Sequence, residues 1–138
     1  MNLQKFVLAF IAYVLVTFAV AASWHLFFFK ELYDQLAIFT RQEPLIPLGI
    51  ASIVMQGLVL SYLYPSFYRG GSPSLQGLKF GLLIGVLMAS IAVFAEAGKQ
   101  NVSSLSTWLA FESGYYLLQF GVVGLVIGMI YGRGTHRE

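Results

Sequence analysis

GLKFGLLIGVLMAS, residues 77–90, sets Gly77, Gly81 and Gly85 four residues apart, with Ala89 continuing the row. Positions four apart lie nearly above one another on an α-helix, so this row leaves one side of a helix bare. The remainder of the stretch is almost wholly Leu, Ile, Val, Met and Phe, and Lys79 is its one charge. A helix that is apolar all round belongs in the core of a large protein or in a bilayer. Which of the two applies is decided by the rest of the chain.

The chain has 138 residues, of which 58% are apolar and 10% charged. A water-soluble domain needs about a quarter of its residues charged to cover its surface. Much of this exterior must therefore face lipid. The absence of cysteine removes thiolate catalysis, thiolate metal sites, iron–sulfur clusters and disulfides together. Eight Lys and Arg are scattered without a basic run that could follow a phosphate backbone, which argues against a nucleic-acid partner.

A hydrocarbon core of about 30 Å needs about 20 residues of helix. Four runs qualify: 6–29, 45–64, 75–95 and 105–131, the third carrying Lys79 near its start and the fourth carrying Glu112. The expected fold is all-α, a polytopic membrane protein in which residues 1–138 form one bundle of four transmembrane helices. Lys5, an apolar stretch and Ala19-Val20-Ala21 also fit a signal peptide, but the apolar run continues to Phe29, and the segment is taken as retained. In the first connection Leu32, Leu36 and Phe39 recur at helical spacing beside Tyr33, which predicts a brief helix in the membrane interface. YPSFYRGGSPS reads as a turn, and EAGKQNVSS as a loop whose sequon Asn101-Val102-Ser103 lies too close to the membrane to carry weight.

Four crossings put both termini on one side. Lys5, Arg69, Lys79, Arg133 and Arg137 fall there, five against the three of Lys30, Arg41 and Lys99. The positive-inside rule then places both termini in the cytoplasm.

The fourth crossing repeats the glycine device with Gly124, Gly128 and Gly132, and Gly121 and Gly114 fall on roughly the same side. In lipid, apolar burial does not drive helices together, whereas close backbone approach does. The rows Gly77, Gly81, Gly85, Ala89 and Gly121, Gly124, Gly128, Gly132 are therefore read as packing surfaces of the glycine-zipper type. They face one another within the chain, or one of them faces a second subunit; the spacing admits both.

Polar residues form stripes away from these grooves. Tyr115, Tyr116 and Gln119 lie near Glu112; Gly49, Ser52 and Gln56 share a face of the second crossing; Tyr13, Thr17 and Trp24 share one of the first. Gln56 and Gln119 are expected to bond each other or neighbouring hydroxyls in the bundle interior, as adhesive groups. Glu112 has two readings. A carboxylate inside a span marks a site, a proton relay or a partner contact. Ser113–Gly132 alone is long enough to span, and Trp108, Tyr115 and Tyr116 resemble an aromatic belt, which would seat Glu112 at the interface.

His25, Glu96 and Glu112 come from three crossings and fall toward one side. One imidazole and two carboxylates suit zinc, iron or manganese, or a proton relay. The plainer reading of His25 is a half-wet ring beside Trp24. Beyond such a metal ion no cofactor is expected. No phosphate-binding loop, dinucleotide fingerprint or nucleophile–base order is present.

WHLFFFKELY closing the first helix, the Gly-rich third helix and YYLLQFGVVGLVIGMIYG at the end together resemble small bacterial four-helix integral membrane families of unknown function. The resemblance implies a fold and a bacterial inner-membrane location, and carries no active site. The expected function is a non-enzymatic bundle, an accessory subunit of a larger membrane complex or a homo-oligomer, with lipid and other membrane subunits or itself as partners. The alternatives are a small proton- or cation-coupled transporter or channel lined by Gln56, Gln119 and Tyr116, with Glu112 and His25 handling protons or cations, and an outer-leaflet metalloenzyme using His25, Glu96 and Glu112.

Overall fold

The computed structural model describes residues 2–38, 41 and 43–132. Four spans, Leu3–Phe28, Ile46–Phe67, Pro73–Ala95 and Leu105–Gly132, are long and apolar enough to cross a bilayer. Among the described residues there is no strand. The elements are α1 (Leu3–Ala22) running into a π turn (Ser23–Phe28), α2 (Lys30–Leu36), α3 (Ile46–Phe67), α4 (Pro73–Ala89) running into a second π turn (Ser90–Ala95), and α5 (Leu105–Gly132).

The ends follow local chemistry. The Asn2 side chain accepts the Lys5 amide at the start of α1, and the Ser72 hydroxyl accepts that of Leu75 before Pro73 opens α4. α3 extends past the expected residue 64 to Phe67, with Pro65 in its last turn. Proline has no N–H, so the Ser61 carbonyl loses its partner one turn back. The Tyr131 hydroxyl donates to that carbonyl at 2.8 Å and ties α5 to α3. The turn that follows uses Gly70 and Gly71 at φ +85° and +82°, left-handed backbone that only glycine adopts freely.

The predicted interfacial helix is α2; Phe39 lies outside the described residues. Tyr33 and Leu36 are buried, so α2 folds down on the bundle. Its last carbonyls are taken by the loop before α5: Ser103 donates its hydroxyl to Gln35 and its amide to Leu36, at 2.7 and 3.1 Å. The serine of the sequon is thus an internal cap.

α5 is the central helix, packed on α4, α1 and the second π turn, while α3 leans chiefly on α1. α4 and α5 run antiparallel with their glycines opposed. A Cβ on Gly77 would overlap the Gly124 carbonyl and approach the Gly128 Cα to 2.9 Å; one on Gly124 would approach the Gly81 Cα to 2.7 Å. Gly85 faces the Tyr116 carbonyl, and Gly128 and Gly132 face Pro73. Gly121 lies outside this backbone contact, because a Cβ there meets only Leu78 and Leu82 side chains at 3.6 Å, and Gly114 faces open space. Ala89 is buried at the end of the row. The two glycine rows face one another inside the chain.

Two clusters of buried apolar side chains divide the bundle lengthwise. One joins Tyr13, Tyr64, Phe80, Phe120 and Ile127 around the glycine seam; the other joins Tyr33, Leu36, Val93 and Trp108 beneath α2.

Candidate functional site

The polar residues of the second half converge on Glu112. It lies two turns into α5 and is 5% exposed, covered by Tyr33 of α2. The Tyr33 hydroxyl donates to Glu112 Oε2 and accepts the indole N–H of Trp24 at 2.9 Å. Burial, and then the Glu112 carboxylate, push the Tyr33 phenol above its ordinary range.

His25 reaches the same oxygen. It stands in the first π turn, a widened turn that shifts the side-chain register of α1 at its end. Its Nδ1 lies 3.2 Å from the Ala21 carbonyl and its Nε2 3.6 Å from Glu112 Oε2. A carbonyl only accepts, so the Ala21 contact holds a proton on Nδ1. A neutral ring would then aim a bare lone pair at a carboxylate. The arrangement is favourable when one further proton is present, either on Nε2 as an imidazolium or on Glu112. Tyr115 packs edge-on against the His25 ring at 4.4 Å, and Tyr33 lies at 4.6 Å. The pair is walled by aromatic rings.

Beside it a recess of about 370 Å³ is lined by Arg41, Glu96, Gln100, Trp108, Glu112 and Tyr116 among others. Trp108 is held in its wall by an indole hydrogen bond to the Val93 carbonyl of the second π turn at 3.2 Å.

The expected metal triad is corrected to a pair. Glu96 lies across the recess, where its two oxygens take Gln100 at 3.0 Å and Lys99 at 3.7 Å. Among the described residues no group of three or more His, Cys, Asp or Glu can hold a metal ion. Glu96 caps the second π turn at the helix end, whereas Glu112 is two turns inside α5.

The glutamines do not bond each other either. Gln56 accepts from the Tyr13 hydroxyl at 2.6 Å and donates to Ser52 at 2.9 Å; Gln119 accepts from Tyr115. Each is satisfied by a nearby hydroxyl. Tyr116 is half-buried, stacked on Phe120 at 6.1 Å and lining the recess. On α3 the packed position is Gly57, beneath Tyr13 and Phe10, and Gly49 faces open space.

Tyr33 is the site residue that sequence reasoning left in the interface. Its signal was its place beside Leu32 and Leu36 on a short amphipathic helix, but nothing local says that this helix closes over Glu112. No protein family, curated protein or solved structure matches the chain.

Proposed function

We propose that this chain is a small non-enzymatic membrane protein that binds and releases a proton at Glu112 and couples it to a cargo, a proton-linked carrier. One observation supports the reading above the others. A buried carboxylate receives Tyr33 and faces His25 Nε2 at 3.6 Å, while Nδ1 is committed to the Ala21 carbonyl, a geometry that favours a proton placed between the two groups. The glycine seam serves as the rigid frame against which this site is held. By the five-to-three count of basic residues, both termini are cytoplasmic and the Glu112 end faces outward. Resemblance to the bacterial four-helix families suggests an inner membrane.

The test is proton flux into liposomes that hold a pH-sensitive dye. The wild type should acidify the lumen under an imposed gradient, and Glu112→Gln should abolish that flux. Equal flux from the two proteins would remove Glu112 from the mechanism.

A second reading, an accessory or self-associating subunit, draws on α3. That helix leaves Gly49, Ser52 and Met55 exposed and borders an apolar recess of about 300 Å³ against α4, lined by Val59, Leu63, Ile84 and Leu87 among others. Small and polar residues on an outward transmembrane face favour helix association. Native mass spectrometry of the protein extracted in mild detergent should then show a complex, and a bare monomer would end this reading.

A further inference from the structure

We propose that the recess beside Glu112 is a binding site for a small organic amine in its ammonium form, which exchanges with the proton on that carboxylate. The inference rests on the proton-site reading in requiring that Glu112 gain and lose a proton. Three features of the recess carry it.

The first is a carboxylate oxygen held ready. Glu112 is 5% exposed and lines the recess, yet both of its contacts, Tyr33 Oη and His25 Nε2, fall on Oε2. Among the described residues no hydrogen bond or ion pair reaches Oε1. That oxygen is open to the recess, where a donor can reach it.

The second is the chemistry of the walls. The buried Trp108 and the half-buried Tyr116 line the recess with Glu112, and Glu96 adds a second carboxylate. Aromatic faces next to acidic oxygens suit an alkylammonium group, which gains from cation–π attraction as well as from charge. A bare metal ion is a poorer fit, since no three-ligand group forms among the described residues. Arg41 and Gln100 also line the recess, Arg41 in the connection after α2, so a ligand enters with its ammonium toward Glu112 and its other end toward these groups.

The third is size and access. About 370 Å³ lies in the range of small-molecule sites. Glu96 and Arg41 belong to the helix-end and loop layer of the bundle, so the recess opens toward the membrane surface and a charged ligand need not cross hydrocarbon to reach it.

The groups that face Glu112 are His25 from the first π turn, Tyr33 from α2, Tyr115 and Tyr116 from α5 itself, and, across the recess, Glu96 and Arg41. Proton and ammonium compete for one carboxylate, and by reciprocity each weakens the other.

The experiment uses the full chain in lipid nanodiscs, with benzylammonium as the probe, benzyl alcohol as its neutral counterpart and benzoate as its anionic one. Binding is read by calorimetry and by fluorescence of the two tryptophans. Benzylammonium should bind saturably and the other two should not. Its apparent Kd should rise as pH is lowered from about 8 to about 5, approaching tenfold per unit where the proton prevails. Glu112→Gln should weaken binding by about thirtyfold or more, and Glu96→Gln, at a half-exposed position, by about threefold. Unchanged affinity in Glu112→Gln, or benzoate binding tighter than benzylammonium, overturns the proposal. Where Glu112→Gln fails to fold, the wild type decides alone: an affinity flat in pH overturns it. A protein that passes protons but ignores benzylammonium overturns this inference only, and one that does neither overturns both.

Discussion

The two ends of the bundle solve the same problem of holding helices together in lipid by opposite means. Around Gly77, Gly81, Gly124 and Gly128 the backbones of α4 and α5 touch directly, with no side chain between them. Around His25, Tyr33 and Glu112 the helices are held apart by bulky rings, and the space between is filled with hydrogen bonds. The first arrangement is rigid because any added atom collides with backbone. The second is adjustable, because protons and rotamers can change within it. Both helices that enter the polar end pass into a π turn there, at Ser23–Phe28 and Ser90–Ala95, and neither does so beside the seam. A frame and a site thus occupy different halves of the same helices.

The sharpest way to break this comparison is Gly81→Leu. Its side chain would run into the Phe120 and Gly124 backbone, and the expected loss is about 3 kcal/mol or more, read by thermal unfolding in detergent. A variant as stable as the parent would show that the seam is not a tight contact.

Tyr33→Phe tests the other half. It deletes the donor to Glu112 and the acceptor for Trp24, which should cost about 1.5–3 kcal/mol. Unlike the seam variant, it should also change the ¹⁵N shifts of the His25 ring. Loss of stability with an unaltered ring would mean that Tyr33 is only filler.

A smaller effect comes from pH. The folded state holds the Tyr33 proton more tightly than the unfolded chain does, by burial and by the Glu112 carboxylate. Its contribution is therefore intact below the ordinary tyrosine value of about 10 and is lost as pH climbs beyond that. Phenolate absorbance should show a component that ionises above the ordinary tyrosine range, and Tyr33→Phe should reduce it. An undiminished component in that variant would contradict the burial of Tyr33 against Glu112.

Gly121→Ala is expected to do least, within about 0.5 kcal/mol, since its Cβ meets only Leu78 and Leu82 side chains. Set beside Gly124→Ala, it separates close backbone contact from simple glycine content: equal losses in the two would mean that glycine, and not the seam, matters.

Much of the frame was legible in the residues. Four apolar runs of the right length named the spans, and the four-residue glycine spacing named the bare sides, because both signals are local and repeat with the helix. The departures came from contacts between helices: Gly121 shares the glycine side of α5 but points between two leucines of α4, and the Ser61 carbonyl freed by Pro65 takes a hydroxyl supplied from Tyr131.

The site was legible only as separate candidates. His25 and Glu112 each stood out as ionisable groups in apolar runs, yet Tyr33 did not, and Glu96 was grouped with them although it pairs elsewhere. Helical periodicity tells which face a residue occupies, so the sequence by itself determined the spans and their bare or polar sides. Which faces meet depends on how α2 folds back over α5 and how α4 docks against it, contacts between residues as distant as Tyr33 and Glu112. Only the tertiary structure decided those, because in lipid every apolar face is equally solvated, and packing shape and buried hydrogen bonds select the partner.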